Sequence, residues 1–229
     1  MTTPPVRHLQ VEGRRIGYRL REGAFPVIVF LPGYGSDMEG AKATALDAFA
    51  GERGLAMLRL DYSGSSGGRF EDGTLDAWLQ EVLSAIDQLT EGPLVLVGSS
   101  MGGWLALHVA IRRPERVQAL VGIAAAADFT AWGFPDGVPE DGQVSRAFWE
   151  SGQRMLLLGD AIGVDCPVRL IHGEKDEAVP LGVALRTLAA LRSGDVQLTV
   201  IKDGGHRLSE PHEIAAILRT VADLAEPRA

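Results

Sequence analysis

The stretch Leu94-Val-Leu-Val-Gly98-Ser-Ser100-Met-Gly102-Gly103-Trp104 decides how this chain reads. Its four leading apolar residues make a run short enough for a strand and apolar enough to be covered on both faces. G-x-S-x-G follows at once, and a helical stretch runs from Gly103 to Ile111. A strand that turns sharply into a helix needs small residues on both sides of the turn, and it projects the central residue above the strand ends. Ser100 is that residue. The helix start behind it offers backbone N–H groups to a developing anion. Ser99, one place off the apex, is read as packing.

The same rhythm extends outward. Continuous apolar runs stand at 27–31, 55–60, 117–123, 168–171 and 196–201, as buried parallel strands require. Helical periodicity fills the gaps. Met38, Ala41, Ala45 and Phe49 make one stripe, and Leu181, Leu185 and Leu188 another. Thr74 can cap a helix with Leu75, Trp78, Leu79, Val82, Ile86 and Leu89 on one side. The last helix opens at Ser209-Glu-Pro, with proline in its first turn, and carries Ile214, Ile217, Leu218 and Val221. Leu9 and Val11, then Ile16, Tyr18 and Leu20, alternate around Glu12-Gly13 as an antiparallel hairpin at a sheet edge. The expected fold is α/β: a mostly parallel, doubly wound sheet with an antiparallel N-terminal hairpin. Residues 1–229 suit one domain. Residues 128–162 are too long for a simple crossover and hold Phe129, Trp132, Phe134, Phe148, Trp149 and Leu156, Leu157 and Leu158, so they read as a small cap insertion.

The excess of glycine, 28 residues, concentrates directly after apolar runs: at Gly33 and Gly35, from Ser63 to Gly68, from Gly98 to Gly103, and at Gly204-Gly205. Tight turns at strand ends are where a site can be built. A serine hydroxyl is a poor nucleophile until a neutral imidazole takes its proton. Of five histidines, His206 stands on a loop after the final strand. His108 falls in the helix after Ser100, His172 ends a strand, and His8 and His212 lack supporting context. The orienting acid is expected between Ser100 and His206 in the chain. Asp176, after the next-to-last strand, is preferred; Glu174, Glu177 and Asp128 compete with it. Two N–H donors should hold the oxyanion, those of Met101 and of Tyr34 in Pro32-Gly33-Tyr34-Gly35.

Composition narrows the field. The chain is 46% hydrophobic and 23% charged, which suits a globular enzyme. A net charge of −8 argues against nucleic acid, whose binding is driven by Lys and Arg neutralising phosphates. No apolar run approaches the roughly 18 residues of a membrane helix. The start, Met1-Thr-Thr-Pro-Pro, shows no secretory pattern. Cys166, the single cysteine, excludes an internal disulfide and fits a reducing compartment; it reads as a buried small residue.

Leu31-Pro-Gly-Tyr-Gly, Arg59-Leu-Asp-Tyr-Ser-Gly, Val97-Gly-Ser-Ser-Met-Gly-Gly-Trp104, Arg113-Pro-Glu-Arg-Val117 and Arg169-Leu-Ile-His-Gly-x-x-Asp176 run in order. Together, over roughly residues 8–222, they resemble the α/β-hydrolase family of mitochondrial palmitoyl-protein thioesterases and mycophenolic acid acyl-glucuronide esterases. The resemblance implies the α/β-hydrolase fold, with Ser100, Asp176 and His206 as nucleophile, acid and base. Its weakest stretch is the cap, which shapes the acyl pocket. The missing transit peptide implies a bacterial, cytoplasmic relative.

The expected activity is hydrolysis of carboxylic esters or acyl thioesters through an acyl-enzyme on Ser100, with no cofactor and no metal. The substrate is a small-molecule acyl ester or thioester, or an acylated protein. Trp132, Phe134, Phe148 and Trp149 are expected to line an apolar slot above Ser100. Two rivals stand beside this reading: a cofactor-free perhydrolase using the same triad, and a non-catalytic binding protein on the same fold.

Overall fold

The apolar runs assemble side by side because each buries both faces only when flanked by neighbours and covered by helices. In the computed structural model, which describes residues 2–64, 73–138 and 144–225, the strands are β1 (Arg7–Val11), β2 (Arg14–Arg21), β3 (Ala24–Leu31), β4 (Leu55–Leu60), β5 (Leu94–Ser99), β6 (Val117–Ile123), β7 (Val168–Gly173) and β8 (Val196–Ile201). The helices are α1 (Ala41–Arg53), α2 (Leu75–Leu89), α3 (Met101–Arg112), α4 (Phe129–Trp132), α5 (Arg146–Gln153), α6 (Leu181–Ala190) and α7 (Pro211–Ala225).

The sheet order is β1-β2-β4-β3-β5-β6-β7-β8. From β4 through β8 neighbouring strands are parallel. The expected hairpin pairs β1 with β2, Leu9 opposite Ile16, and β2 continues antiparallel onto β4. One apolar core lies against α2 and α3, the other against α1 and α7. The strand order reverses between β3 and β5, and the crevice beyond the carboxyl ends of such strands is where open α/β sheets bind ligands.

Three expectations need correction. The run 196–201 was expected to be covered on both faces, yet β8 alternates half-buried and exposed positions. It is the last strand of the sheet, with β7 as its one neighbour in the strand order. The stripe in α1 is Ala43, Leu46, Phe49 and Ala50, and Met38 precedes the helix. In α6 the inward face is Val183, Ala184 and Thr187, while Leu185 is 53% exposed. Thr187 can face inward because its hydroxyl donates to the Val183 carbonyl at 2.9 Å. In α6 small and polar residues supply the close-packed side, which a count of large apolar residues misses. The glycine-rich stretch from Ser63 continues into residues 65–72, outside the described residues.

Between β6 and β7 the chain forms α4 and α5, with residues 139–143 outside the described residues. It is tied down from below: the Met155 carbonyl accepts from the Trp104 indole at 3.2 Å and from His108 Nε2 at 2.9 Å. Arg112 donates to Nδ1 of His108 at 3.1 Å, so the proton sits on Nε2 and the ring is neutral. Burial lowers the His108 pKa to about 4. The unfolded chain binds that proton near about 6.5, so stability is lost as pH falls from about 6.5 towards 4. The loss is on the order of 3 kcal/mol. Denaturant unfolding at pH 7 and pH 4.5 should show a smaller acid loss in His108→Gln than in the wild type; equal losses contradict the assignment.

Candidate active site

Ser100 is held where the strand-to-helix turn puts it. It adopts φ 53° and ψ −120°, a strained conformation for a residue with a side chain. The surroundings impose it. A Cβ at Gly98 would stand 2.3 Å from the Gly102 carbonyl oxygen, and one at Gly102 would stand 2.1 Å from that of Leu31. The Ser100 amide donates to Ile123 at 2.9 Å, and its carbonyl accepts from Gly103 and Ala126 at 2.9 and 3.0 Å. Only the side chain is left to face the crevice.

His206 and Asp176 arrive on two loops that touch. A Cβ at Gly173 would stand 2.3 Å from the Gly204 carbonyl oxygen, so the loops after β7 and β8 close together because glycine ends β7. The Lys175 amide donates to Gly204 at 2.8 Å, joining them. Nε2 of His206 is 3.1 Å from the Ser100 hydroxyl, and Nδ1 is 2.8 Å from Oδ2 of Asp176. The other oxygen, Oδ1, accepts from the Ala178 and Val179 amides at 3.0 and 2.8 Å. Burial pushes the Asp176 carboxyl up, but the hydrogen bonds from His206 and the Val179 amide outweigh it and hold the group below its ordinary range. It therefore stays an acceptor for the imidazole N–H. Ser99, expected as packing, is buried at the end of β5.

Two of the three competing acids are occupied elsewhere. Asp128 accepts from the Leu157 and Leu158 amides at 2.7–3.0 Å. Glu174 pairs with Lys202 at 2.8 Å, and Glu177 is exposed. Among the other histidines, His8 and His212 are exposed. His172, buried beneath the acid, holds the Val179 carbonyl at 2.8 Å and lies 3.5 Å from Oδ2 of Asp176.

The loop after β3 abuts Ser100. A Cβ at Gly33 would meet that of Ser100 at 3.2 Å. Two residues that sequence reasoning left without a role brace this loop. Tyr62 donates to the Pro32 carbonyl at 2.9 Å, and Asp61 accepts from the Met38 amide at 2.7 Å. An acid buried directly behind the apolar run 55–60 was the available signal. Tyr34 itself packs its ring on Phe148, centroids 5.1 Å apart, and on Trp78 at 6.1 Å. Met101 opens α3, fully buried.

Of the four aromatics expected around a slot, Phe148 is 1% exposed and fills the core against Tyr34, Trp78 and Phe129. Trp149 and Phe134 are half-buried and joined by an indole hydrogen bond of 3.4 Å. Trp132, also half-buried, donates to the Ala127 carbonyl at 2.7 Å and borders an open groove. Among the described residues, no cluster of His, Cys, Asp and Glu could hold a metal ion, and no helix is long and apolar enough to cross a membrane.

The chain belongs to the α/β-hydrolase fold family, whose model matches residues 14–141. Human mitochondrial palmitoyl-protein thioesterase ABHD10 is 39% identical over 92% of this chain and 76% of its own length. The structure of α/β hydrolase domain-containing protein 10 from mouse superposes with a TM-score of 0.91 at 37% identity, covering 96% of this chain and 98% of that one. Est1E from Butyrivibrio proteoclasticus, solved with ferulic acid, shares the fold at a TM-score of 0.82 and 21% identity, covering 95% and 96% of the two chains. This protein is thus a hydrolase of that family and a homologue of a thioesterase.

Proposed function

We propose that the protein hydrolyses carboxylic esters or acyl thioesters through an acyl-enzyme on Ser100. The observation that carries this reading is the unbroken relay from the Ser100 hydroxyl through His206 to Asp176, at 3.1 and 2.8 Å. His206 takes the hydroxyl proton as the oxygen attacks the acyl carbon, then returns it to the departing alcohol or thiol. Water repeats the sequence on the acyl-enzyme, releasing the acid. Asp176 keeps the Nδ1 proton in place and stabilises the imidazolium. The amides of Met101 and Tyr34 are assigned to the oxyanion: one starts α3, the other stands on the braced loop beside Ser100.

The segment 128–162 is read as a cap on a single domain, with α5 packed over Tyr34. Kinship to a palmitoyl-protein thioesterase supports acyl groups longer than acetyl and sulfur as well as oxygen leaving groups. The free Cys166 supports work in a reducing compartment such as the cytoplasm. A fluorophosphonate should label Ser100 alone, found by peptide mass spectrometry, and His206→Ala should slow the labelling. Labelling at Ser99, or none, rejects the assignment. Faster peracid formation from acetate and peroxide than acyl-ester hydrolysis would instead favour the perhydrolase.

A further inference from the structure

We propose that His172 is a positioning residue for the triad: by holding the Val179 carbonyl it fixes the turn whose amides hold one oxygen of Asp176, and so aims the other oxygen at His206. This rests on the acyl-transfer reading above and goes one layer further out, to what sets the direction of the acid.

An aspartate carboxylate turns readily about its last bond, where the torsional preference is broad. Its aim must therefore come from its partners. Oδ2 of Asp176 is 2.8 Å from Nδ1 of His206, and Oδ1 accepts from the Ala178 and Val179 amides at 3.0 and 2.8 Å. Those amides stand two and three residues further along the chain, so the carboxylate closes a turn of its own backbone. Such a turn directs the carboxylate only as firmly as its two ends are anchored. At the near end the Asp176 amide donates to the Gly173 carbonyl at 3.3 Å, and the Lys175 amide to that of Gly204 at 2.8 Å. The far end runs into Val179-Pro180, and proline has no N–H to give.

His172 supplies the anchor there. Its Nε2 lies 2.8 Å from the Val179 carbonyl oxygen, and since a carbonyl only accepts, Nε2 carries the proton. The ring is 1% exposed and stands on β7, which is paired with β6 on one side and β8 on the other. The turn is thus tied to the most rigid part of the molecule. The same Nε2 is 3.5 Å from Oδ2 of Asp176, too far for a good hydrogen bond while its proton is directed at the carbonyl. His172 therefore acts on the acid through the turn. A purely structural histidine would satisfy a buried carbonyl and do no more; its loss would lower Tm and leave the rate alone.

The test is a double-mutant cycle with p-nitrophenyl butyrate, measuring kcat and KM separately, with melting curves to confirm that each variant is folded at the assay temperature. His172→Leu fills the space without a donor. It should lower kcat by about 10–100-fold with KM unchanged, the scale of loss when a reacting group is displaced by about an ångström. His172→Gln, whose amide reaches the same carbonyl, should restore most of the rate. In an Asp176→Asn background His172→Leu should change kcat little, because no aimed carboxylate is left to lose. His172→Asn, polar but shorter, should match the leucine variant and takes its place if that variant does not fold. Wild-type kcat in these variants, or a loss that multiplies in full with that of Asp176→Asn, would overturn the positioning role and leave hydrolysis at Ser100 standing. No turnover of the ester by the wild type would overturn the acyl-transfer reading, and the role of His172 with it.

Discussion

Ser100→Ala is expected to lower kcat/KM for an acyl ester by about 10⁵–10⁶-fold, with the folding transition unchanged. Alanine occupies the same strained turn with one atom fewer, and the packing of Gly98, Gly102 and Gly103 around it is untouched. What disappears is the one oxygen that His206 faces. Donors to the oxyanion and the binding surfaces persist, so a residue of about 10³–10⁴-fold over the uncatalysed reaction should remain. Steady-state kinetics and thermal melts measure both sides. Substantial turnover by the variant would mean that Ser100 is an ordinary turn residue and that the reaction runs elsewhere.

Asp176→Asn should cost less but still about 10³–10⁴-fold in kcat, although the loop keeps its shape. The asparagine carbonyl can still accept from the Ala178 and Val179 amides, as Oδ1 of the aspartate does at 3.0 and 2.8 Å. Its amide group then faces Nδ1 of His206. A donor there forces the imidazole to carry its proton on Nε2, pointed at the serine, and that tautomer cannot accept the hydroxyl proton. Asp128→Asn makes the contrast. Asp128 ties down the amides of Leu157 and Leu158, so its loss should loosen α4 and α5 and lower Tm more than it lowers kcat. A large kcat effect at Asp128 with a near-silent Asp176→Asn would transfer the acid to the strand β6.

Much of the fold was legible in the sequence because its strongest signals are local. Five apolar runs of the sheet core and the alternating hairpin announce themselves without reference to any partner. The turn at Ser100 is equally local in sequence: the glycines at 98, 102 and 103 stand next to the residue they serve, and each is required by a close approach, to Gly102, to Leu31 on the adjacent strand and to Ala125 just after β6. Chain order alone favoured Asp176 and His206, since each follows a late strand.

What the sequence could not supply was anything decided by which side of an element faces the body. Leu181, Leu185 and Leu188 make a persuasive stripe, yet α6 turns Val183, Ala184 and Thr187 inward, because close packing there admits small side chains and a hydroxyl satisfied by its own helix. The edge position of β8, the burial of Phe148 beneath α5, and the employment of Asp128 on two distant amides are likewise properties of neighbours far along the chain. By itself, the sequence determined the strand-helix alternation and the strained turn at Ser100, because each depends on short-range sterics and hydrogen-bonding capacity. The tertiary structure alone decided which acid meets the imidazole, because that depends on distances between residues that contact one another only when the chain is packed.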